Sequence, residues 1–192
     1  TFGTDTNANG QHFGWIVDIT ANGENLLVTA PGIDTFSVDE TQSSSAQSGA
    51  LVYARQSDGT FANPRTIDFA DITLGGSQLG TAAAISDDAS TIVFGSSNYP
   101  LNGNQNGLVS IWRRNDSTGE YSSFSLIDHI TNNWASASNT GKDVAVSADG
   151  SVVVVGQPVD SSVQYGKVLV YRYTTGGYQL IQTLIQNLDG DD

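Results

Sequence analysis

One segment occurs three times in this 192-residue chain. Its copies open with Phe13-Gly14, Leu79-Gly80 and Thr140-Gly141, and six further residues end each copy on Thr or Ser. The three glycines are 66 and 61 residues apart, from 14 to 80 and from 80 to 141. This period is too long for a helical or leucine-rich repeat and indicates a unit made of several short strands.

Later positions of each unit also recur in register. Fifteen residues after the repeat glycine, an apolar run ends at Thr29, Gly95 and Gly156. Each unit then places an Arg six residues beyond a Gly, in 49–55, 107–113 and 166–172. An aromatic residue stands six positions before an aliphatic one in the pairs Phe61 and Ile67, Tyr121 and Ile127, Tyr178 and Leu184. The chain is therefore one supersecondary unit used three times.

Charge and composition exclude several functions. With 7 basic and 20 acidic residues the net charge is −13, which repels nucleic acid and anionic lipid and leaves cations, neutral glycans or proteins as partners. The absence of Cys excludes disulfides, thiol catalysis and thiolate metal sites. No apolar stretch approaches the length of a membrane-spanning helix.

Several features favour an extracellular location. Ser, Thr, Asn and Gly are abundant and Lys is scarce, as in secreted β proteins, and the absence of Met indicates a processed or excerpted chain. One glycosylation sequon, Asn115-Asp116-Ser117, falls at a predicted hairpin tip where a glycan would be tolerated. Such triplets also arise by chance.

Each unit predicts four strands, from β-branched and aromatic runs separated by Gly, Asn, Asp and Ser. The predicted ranges are 14–20, 25–30, 49–56 and 61–69, then 80–86, 91–96, 107–114 and 121–129, then 141–147, 151–157, 166–173 and 178–186. The first two strands of each unit are joined by four residues such as Ala21-Asn22-Gly23-Glu24, which predicts hairpins because Asn-Gly and Asp-Gly accept positive φ. The fold class is all-β, with three tandem four-stranded antiparallel sheets.

The side chains also predict how these sheets pack. The run Val152–Val155 does not alternate apolar with polar residues, which predicts that both of its faces are covered. First strands carry small residues such as Ala82-Ala83-Ala84, whereas third and fourth strands carry aromatics such as Trp112 and Tyr171. Small side chains near an axis and large ones outside are typical of a propeller blade.

The recurring phrase resembles the FG-GAP repeat of integrin-α-type β-propellers. The third unit matches it best, through Gly141, Val144, Val146, Ser147, Asp149, Gly150, Gly156, Pro158, Gly166, Val168, Val170 and Tyr171. The resemblance covers nearly the whole chain and implies blades at about 13–75, 76–136 and 137–188 in one repeat array, with 1–12 and 188–192 as linkers. It also implies an extracellular location and adhesion or scaffold roles more often than catalysis.

The chain departs from the family in two respects. The calcium loop that the family carries between its first two strands is replaced by tight turns such as Ser147-Ala148-Asp149-Gly150, which offer too few carboxylates for Ca²⁺. Propellers close with four to eight blades, so three blades are unlikely to form a ring alone. Its partners are then other copies of itself or flanking blades of a longer chain, in a completed propeller or a head-to-tail filament.

The two ends of the chain hold a possible calcium site. The segment 5–10 matches the first half of a calcium loop, with oxygen side chains on Asp5, Asn7 and Asn9. The twelfth position of that loop is Ile16 rather than Glu. Asp189 and Asp191 of a neighbouring copy, with Asp192, could supply the missing charge. The favoured interpretation is nevertheless a solvated Asn-, Asp- and Gly-rich linker without metal, so no cofactor is expected, and Ca²⁺ at this junction is the alternative.

The predicted long loops between second and third strands share one face with the links between blades, and function concentrates on such loop-rich rims. This rim carries Phe36, Tyr99, Trp134 and Tyr165. These aromatics could stack on sugars, which makes a carbohydrate-binding module the alternative function, or they could cap the blade ends.

Catalysis finds little support in the sequence. His12 and His129 are the two histidines, and Asp128 beside His129 would point to the opposite face of a strand. No Ser sits in a Gly-flanked nucleophile elbow. The leading hypothesis is therefore a non-enzymatic, extracellular structural or adhesion module that forms part of a larger assembly. A glycan-active enzyme with paired carboxylates is the less favoured reading.

Overall fold

The computed structural model describes residues 13–31, 49–69, 79–97, 100–101, 104–105, 107–128, 139–158 and 166–185. Within these ranges every regular element is a β-strand, so the described part of the chain is all-β as predicted. The strands form three four-stranded antiparallel sheets and one two-stranded ribbon, and none of the sheets closes on itself. The described ranges contain no helix long and apolar enough to cross a membrane.

Each sheet is built from one repeat unit, with its four main strands in sequence order. The first sheet consists of β1 (Val17–Ile19), β2 (Asn25–Ala30), β3 (Gly49–Arg55) and β4 (Phe61–Asp68). The second unit contributes β5 (Ala82–Ile85), β6 (Thr91–Ser96), the ribbon strands β7 (Pro100–Leu101) and β8 (Asn104–Gln105), β9 (Leu108–Arg114) and β10 (Tyr121–Asp128), and its sheet runs β5-β6-β9-β10. The third sheet consists of β11 (Val144–Val146), β12 (Val152–Gln157), β13 (Lys167–Thr174) and β14 (Gly177–Ile185).

The first strand of each sheet begins two or three residues later than predicted, because the repeat glycine forms a turn rather than part of the strand. Gly14, Gly80 and Gly141 have φ of 88°, 88° and 78°. Their amides donate to the carbonyls of Thr29, Gly95 and Gly156, with N···O distances of 3.0, 3.1 and 3.0 Å. This hydrogen bond explains the fifteen-residue spacing, since it fixes the entry of each unit against the end of its second strand.

The three predicted hairpins between first and second strands are present and share one turn design. In the third unit the Ser147 hydroxyl donates to Asp149 Oδ1 at 2.7 Å, and the Ser151 amide donates to the same oxygen at 3.0 Å. Thr20 with Asn22, and Ser86 with Asp88, repeat these bonds. Each turn therefore uses its acidic or amide side chain to hold the backbone.

The second sheet lies between the other two. Residues of β6 alternate between two apolar clusters: Ile92 and Phe94 pack towards the first sheet, and Val93 packs towards the third. The first cluster joins Leu27, Ala50, Val52, Ile67 and Phe69 to the second sheet. The other joins Val109 and Ile111 to Val144, Val153, Val155, Leu169 and Tyr171. Strand β6 is consequently buried on both faces.

The prediction that both faces of Val152–Val155 are covered is confirmed for one face only. Val153 and Val155 are buried against the second sheet, whereas Val152 and Val154 on the opposite face are only half-buried. The third sheet has a neighbouring sheet on one side alone within the described residues. One face of this apolar strand is therefore fully covered and the other is covered only in part.

The alignment of the Gly-to-Arg segments is also wrong by one residue in the first unit. Leu27 pairs with Val52, the third residue after Gly49. The equivalent pairs are Val93 with Ile111 and Val154 with Val170, each the fourth residue after its glycine. The register of the third strand is set by its backbone pairing with the second strand. The spacing between the Gly and the Arg at the ends of the segment does not set it. Tyr53, Trp112 and Tyr171 are therefore equivalent positions.

Polar contacts fix how neighbouring sheets are placed. Between the first two sheets, Asp18 Oδ2 accepts from the Ile85 amide at 2.9 Å and the Thr29 hydroxyl donates to the Gly80 carbonyl at 2.8 Å. Between the second and third sheets, the Arg113 guanidinium lies 4.6 Å from the centre of the Tyr173 ring. Each of the two junctions is thus fixed by polar contacts of its own.

Candidate functional site

Within the described residues, the two outward faces of the sheet stack expose large apolar side chains. We call the outward face of the first sheet the N-flank; Val17, Ile19, Leu26 and Tyr53 lie on it, and Phe13 precedes it. We call the outward face of the third sheet the C-flank; it is formed by Ala145, Val154, Val168, Val170 and Leu184. Polar residues also lie on them, such as Thr66 on the N-flank and Gln182 on the C-flank.

The N-flank exposes positions that the repeat buries elsewhere. Ile19 is 51% exposed, whereas Ile85, the same position 66 residues later, is 6% exposed and packs against the first sheet. Phe13 is 48% exposed, whereas Leu79 is fully buried. Burial of Ile85 and Leu79 requires a preceding sheet. The N-flank therefore has the residues of an inter-sheet contact without the described sheet that would complete it.

An aromatic position on the third strand follows the same rule. Trp112 and Tyr171 are buried, while the equivalent Tyr53 is half-buried on the N-flank. Desolvation by burial raises the pKa of Tyr53 and of Tyr171 above the ordinary value, so both rings are neutral at pH 7. Farther along this face Val28 and Leu51 are buried, which leaves the exposed part of the N-flank centred on β1.

The C-flank exposes the sheet face that, in the first and second units, packs against the following sheet. Leu184 is 47% exposed, whereas the equivalent Ile67 of the first unit is 1% exposed beneath the second sheet. Val154 and Val170 are half-buried, whereas their equivalents Val93 and Ile111 are fully buried against the third sheet. These residues would be buried by a following sheet.

Charge is confined to the edges of both flanks. On the N-flank, Arg55 Nη1 lies 3.9 Å from Glu24 Oε1, and both side chains are solvated. Exposed ion pairs of this kind contribute little to folding stability. They line a shallow polar depression with Gln56, Ser57 and Gly59. On the C-flank, Arg172 is exposed beside Val152.

Most sequence-predicted site residues lie outside the described residues, so their placement is not tested. This holds for Phe36, Tyr99, Trp134 and Tyr165 on the predicted rim, for Asp5, Asn7, Asn9, Asp189 and Asp191 in the predicted calcium site, and for His12 and His129. Among the residues that the structure does describe, there is no group of three or more His, Asp or Glu that could hold a metal ion.

Asn115 is the predicted site residue that the structure describes. It opens the turn between β9 and β10 and is exposed. Its Oδ1 accepts from the Ser117 amide at 2.9 Å and from the Ser117 hydroxyl at 2.6 Å. The sequon therefore forms an accessible turn, which agrees with the hairpin tip predicted for it.

Two buried polar atoms mark the end of the second strands. Ser96 Oγ and Gln157 Nε2 are buried without a hydrogen-bond partner. They occupy the same repeat position, one residue beyond Gly95 and Gly156, where the predicted loop-rich rim begins. An unpaired buried donor costs roughly 1–3 kcal/mol, so each carries an unmet hydrogen-bonding capacity. Both atoms lie at the edge of the predicted rim, next to loop residues outside the described ranges.

The flanks were missed as sites by sequence reasoning, which named only open ends. The sequence contained a pattern that could have identified them. Ile19, Ile85 and Val146 are each five residues after a repeat glycine, and a position that is apolar in every unit is expected to be buried against a neighbouring sheet in every unit. The first unit has no preceding unit in the sequence given. Its apolar residues at these positions could therefore have been identified before the structure.

Comparisons with known proteins assign no family to the chain. No protein-family model matches it, and no curated protein matches it either. Among solved structures it is similar to a functionally unknown protein from Desulfotomaculum acetoxidans DSM 771, with 12% identity and a TM-score of 0.46. The similarity covers 90% of this chain and 56% of that chain, so this chain spans little more than half the length of the protein it matches. At this level the likeness carries no argument about function.

Proposed function

We propose that the chain is a structural subunit of a larger extracellular assembly, built from three propeller-type blades and joined to further sheets through its N-flank and C-flank. The observation that carries the proposal is the contrast between equivalent positions. Ile85 is buried by the sheet before it, and Ile19, which has the same place in its own sheet, is exposed. No reaction is assigned to the chain.

The physical reason is the cost of leaving such faces in water. Burial of apolar surface stabilises by about 25 cal/mol per Å², so a sheet face lined with Val, Ile and Tyr gains free energy when another sheet covers it. Terminal units of soluble repeat arrays normally have a polar outer face. The C-flank instead carries Val154, Val168, Val170 and Leu184 outward. Chains with two such faces are expected to associate.

We propose further that the three sheets are arranged as the blades of a propeller. Each sheet is a four-stranded meander, the small residues Ala82 and Ala83 lie on a first strand, and the aromatics Trp112 and Tyr171 lie on third strands. These features support blades that taper towards an axis. Because complete propellers need at least four blades, further blades from outside this chain would be required.

Light scattering after size-exclusion chromatography tests the assembly. The wild-type chain is expected to elute with a mass above the 20.2 kDa monomer. Ile19→Lys and Leu184→Lys each place a charge on a flank at an exposed position, so they should leave the monomer folded and reduce the mass. Thr118→Lys, in the exposed turn before β10, is the matched control and should leave the mass unchanged.

Two results would count against the proposal. A wild-type chain that stays at monomer mass at every concentration has no assembly to explain. An assembly that resists both flank changes but dissociates on Thr183→Pro would join through the edge of β14, where Pro removes a backbone donor, and the flanks would then have another role.

The extracellular part of the proposal has its own test. The accessible turn at Asn115 and the abundance of Ser and Thr support it. When the chain is secreted from a eukaryotic host that glycosylates Asn-x-Ser, wild type should carry one glycan that Asn115→Gln removes, as measured by intact mass. A secreted wild-type chain without a glycan at Asn115 would remove this support.

A further inference from the structure

The N-flank and the C-flank are the two halves of one contact that the molecule already makes internally. Across the junction between the second and third sheets, the residues facing each other include Ala84, Val93 and Ile111 on one side and Val146, Val153 and Tyr171 on the other. The positions on the first side recur on the C-flank as Ala145, Val154 and Val170. Those on the second side recur on the N-flank as Ile19, Leu26 and Tyr53.

We propose that the C-flank of one copy docks on the exposed part of the N-flank of a second copy, centred on β1, and repeats there the internal contact between successive sheets. Val28 and Leu51, on the same face, are already buried within the chain and take no part in this docking. This inference rests on the proposed function and names the partner and the pairing of faces. The contact is heterologous, because two different surfaces meet, so it adds copies head to tail until a ring closes or a filament grows.

The repeat glycines give an independent reason. At the second junction a Cβ on Gly95 would lie 2.2 Å from the Gly141 carbonyl oxygen, so the second strand closely approaches the entry of the next unit. Gly156 and Gly14 are the equivalents at the two open ends. A Cβ on Gly156 would meet nothing closer than 3.4 Å, and one on Gly14 nothing within 4 Å. Both ends therefore have room for the approach that the internal junction makes.

The charges at the flank edges make this pairing depend on one acidic residue. Arg113 and Tyr173, which stack across the second junction, are equivalent to Arg172 on the C-flank and Arg55 on the N-flank. Head-to-tail docking thus brings two guanidinium groups together, and Glu24, 3.9 Å from Arg55, supplies the compensating charge. Glu24 is accordingly the polar residue on which docking should depend most.

Engineered cysteines test the pairing directly, since the chain has no thiol of its own. The internal contact places Asp18 against Ile85, with Oδ2 2.9 Å from the amide nitrogen, and the equivalents at the ends are Ala145 and Ile19. We would mix Ala145→Cys with Ile19→Cys, oxidise or treat with a short bismaleimide, and measure cross-linked dimer. Asp116→Cys mixed with Ile19→Cys is the control.

The mixture of the two flank variants should give a heterodimer band at least several-fold stronger than the control mixture or either variant alone. Adding Glu24→Lys to the Ile19→Cys protein should lower this yield several-fold. Adding Arg172→Glu to the Ala145→Cys protein should then restore it. Both cysteine positions are exposed, so circular dichroism should show an unchanged fold.

Strong cross-linking of either single variant with itself would overturn the inference, because it would indicate an isologous pairing of like faces. Absence of the heterodimer while light scattering still shows an assembly would also overturn it and leave the proposed function standing. A monomer in both measurements would contradict the inference and the proposed function together.

Discussion

The repeat glycine is required because of a single backbone torsion, its positive φ. Gly14, Gly80 and Gly141 adopt positive φ and donate to the carbonyl fifteen residues later, which sets the angle at which each unit enters its sheet. Side chains other than glycine pay a penalty in this region of φ. The first detectable repeat in the sequence is therefore a requirement of backbone conformation.

Substituting two of these glycines should separate the torsional cost from the cost of crowding. Gly14→Ala meets nothing within 4 Å, so it should destabilise by about 1 kcal/mol, the left-handed penalty less the gain from a stiffer unfolded chain. Gly141→Ala would place Cβ 2.7 Å from the Leu108 carbonyl oxygen and should cost about 3 kcal/mol. Urea unfolding measures both, and equal losses would contradict the crowding argument.

The turn carboxylates give a pH dependence at the same scale. The Ser147 hydroxyl, followed by the Ser151 amide, lowers the pKa of Asp149 from 3.8 to about 2. For Asp88 burial opposes the shift, but the hydrogen bonds from Ser86 and Ser90 outweigh it and lower the pKa. Because these pKa values are depressed in the folded state, the unfolded chain takes up protons first as pH falls.

The stabilising contribution of Asp149 is thus present above pH 3.8 and is lost as pH falls towards 2. Asp149→Asn retains an acceptor in the turn, as Asn22 does in the first unit, but removes the titration. Between these pH values the urea midpoint of wild type should fall more steeply than that of Asp149→Asn. Parallel curves would contradict the assigned role of Asp149.

At the scale of elements, whether a strand is covered on one face or two depends on its place in the stack. β6 of the middle sheet is buried throughout, whereas β12 alternates buried with half-buried residues although it reads Val152–Val155. The same apolar strand therefore contributes differently to stability in different sheets. The amino-acid composition of a strand therefore does not show whether a second sheet packs on each of its two faces.

Val153 and Val154 provide a matched pair within that strand. Val153 is fully buried, so Val153→Ala removes packed methyl groups and should destabilise by about 2–3 kcal/mol. Val154 is half-buried on the C-flank, so Val154→Ala should cost about 1 kcal/mol or less in dilute monomer. Chemical unfolding compares them, and similar losses would mean that both faces of β12 are covered.

The strands and hairpins could be predicted because their signals are local. Gly, Asn and Asp at the turns and apolar runs between them placed the four strands of each unit within a few residues. The one-residue shift of β3 relative to Gly49 could not be predicted, since it depends on the pairing of Leu27 with Val52. The exposure of the flanks could not be predicted from any one segment either, because it depends on which sheets pack next to each other.

At the scale of the whole molecule, two apolar faces and a net charge of −13 act against each other. Burial of the flanks favours association at short range, whereas the like charge of two copies opposes their approach. Salt shortens the reach of this repulsion, from about 30 Å at about 0.01 M to about 8 Å at about 0.15 M. Apolar contact is little affected by the same change.

Association should therefore strengthen when salt rises over this range. Light scattering at fixed protein concentration measures the change in mass. The Glu24 contact alone would predict the opposite sign, so a mass that falls with salt would show that ion pairs, and not the apolar flanks, hold the assembly together.

If the exposed repeat positions on the flanks form an incomplete inter-sheet contact, another copy should complete it, and sedimentation velocity on a dilution series of the wild-type chain measures this. We expect a single 20.2 kDa species at the lowest concentration and progressively heavier species as concentration rises. Sedimentation as that monomer at every concentration would mean that the flanks are not such a contact.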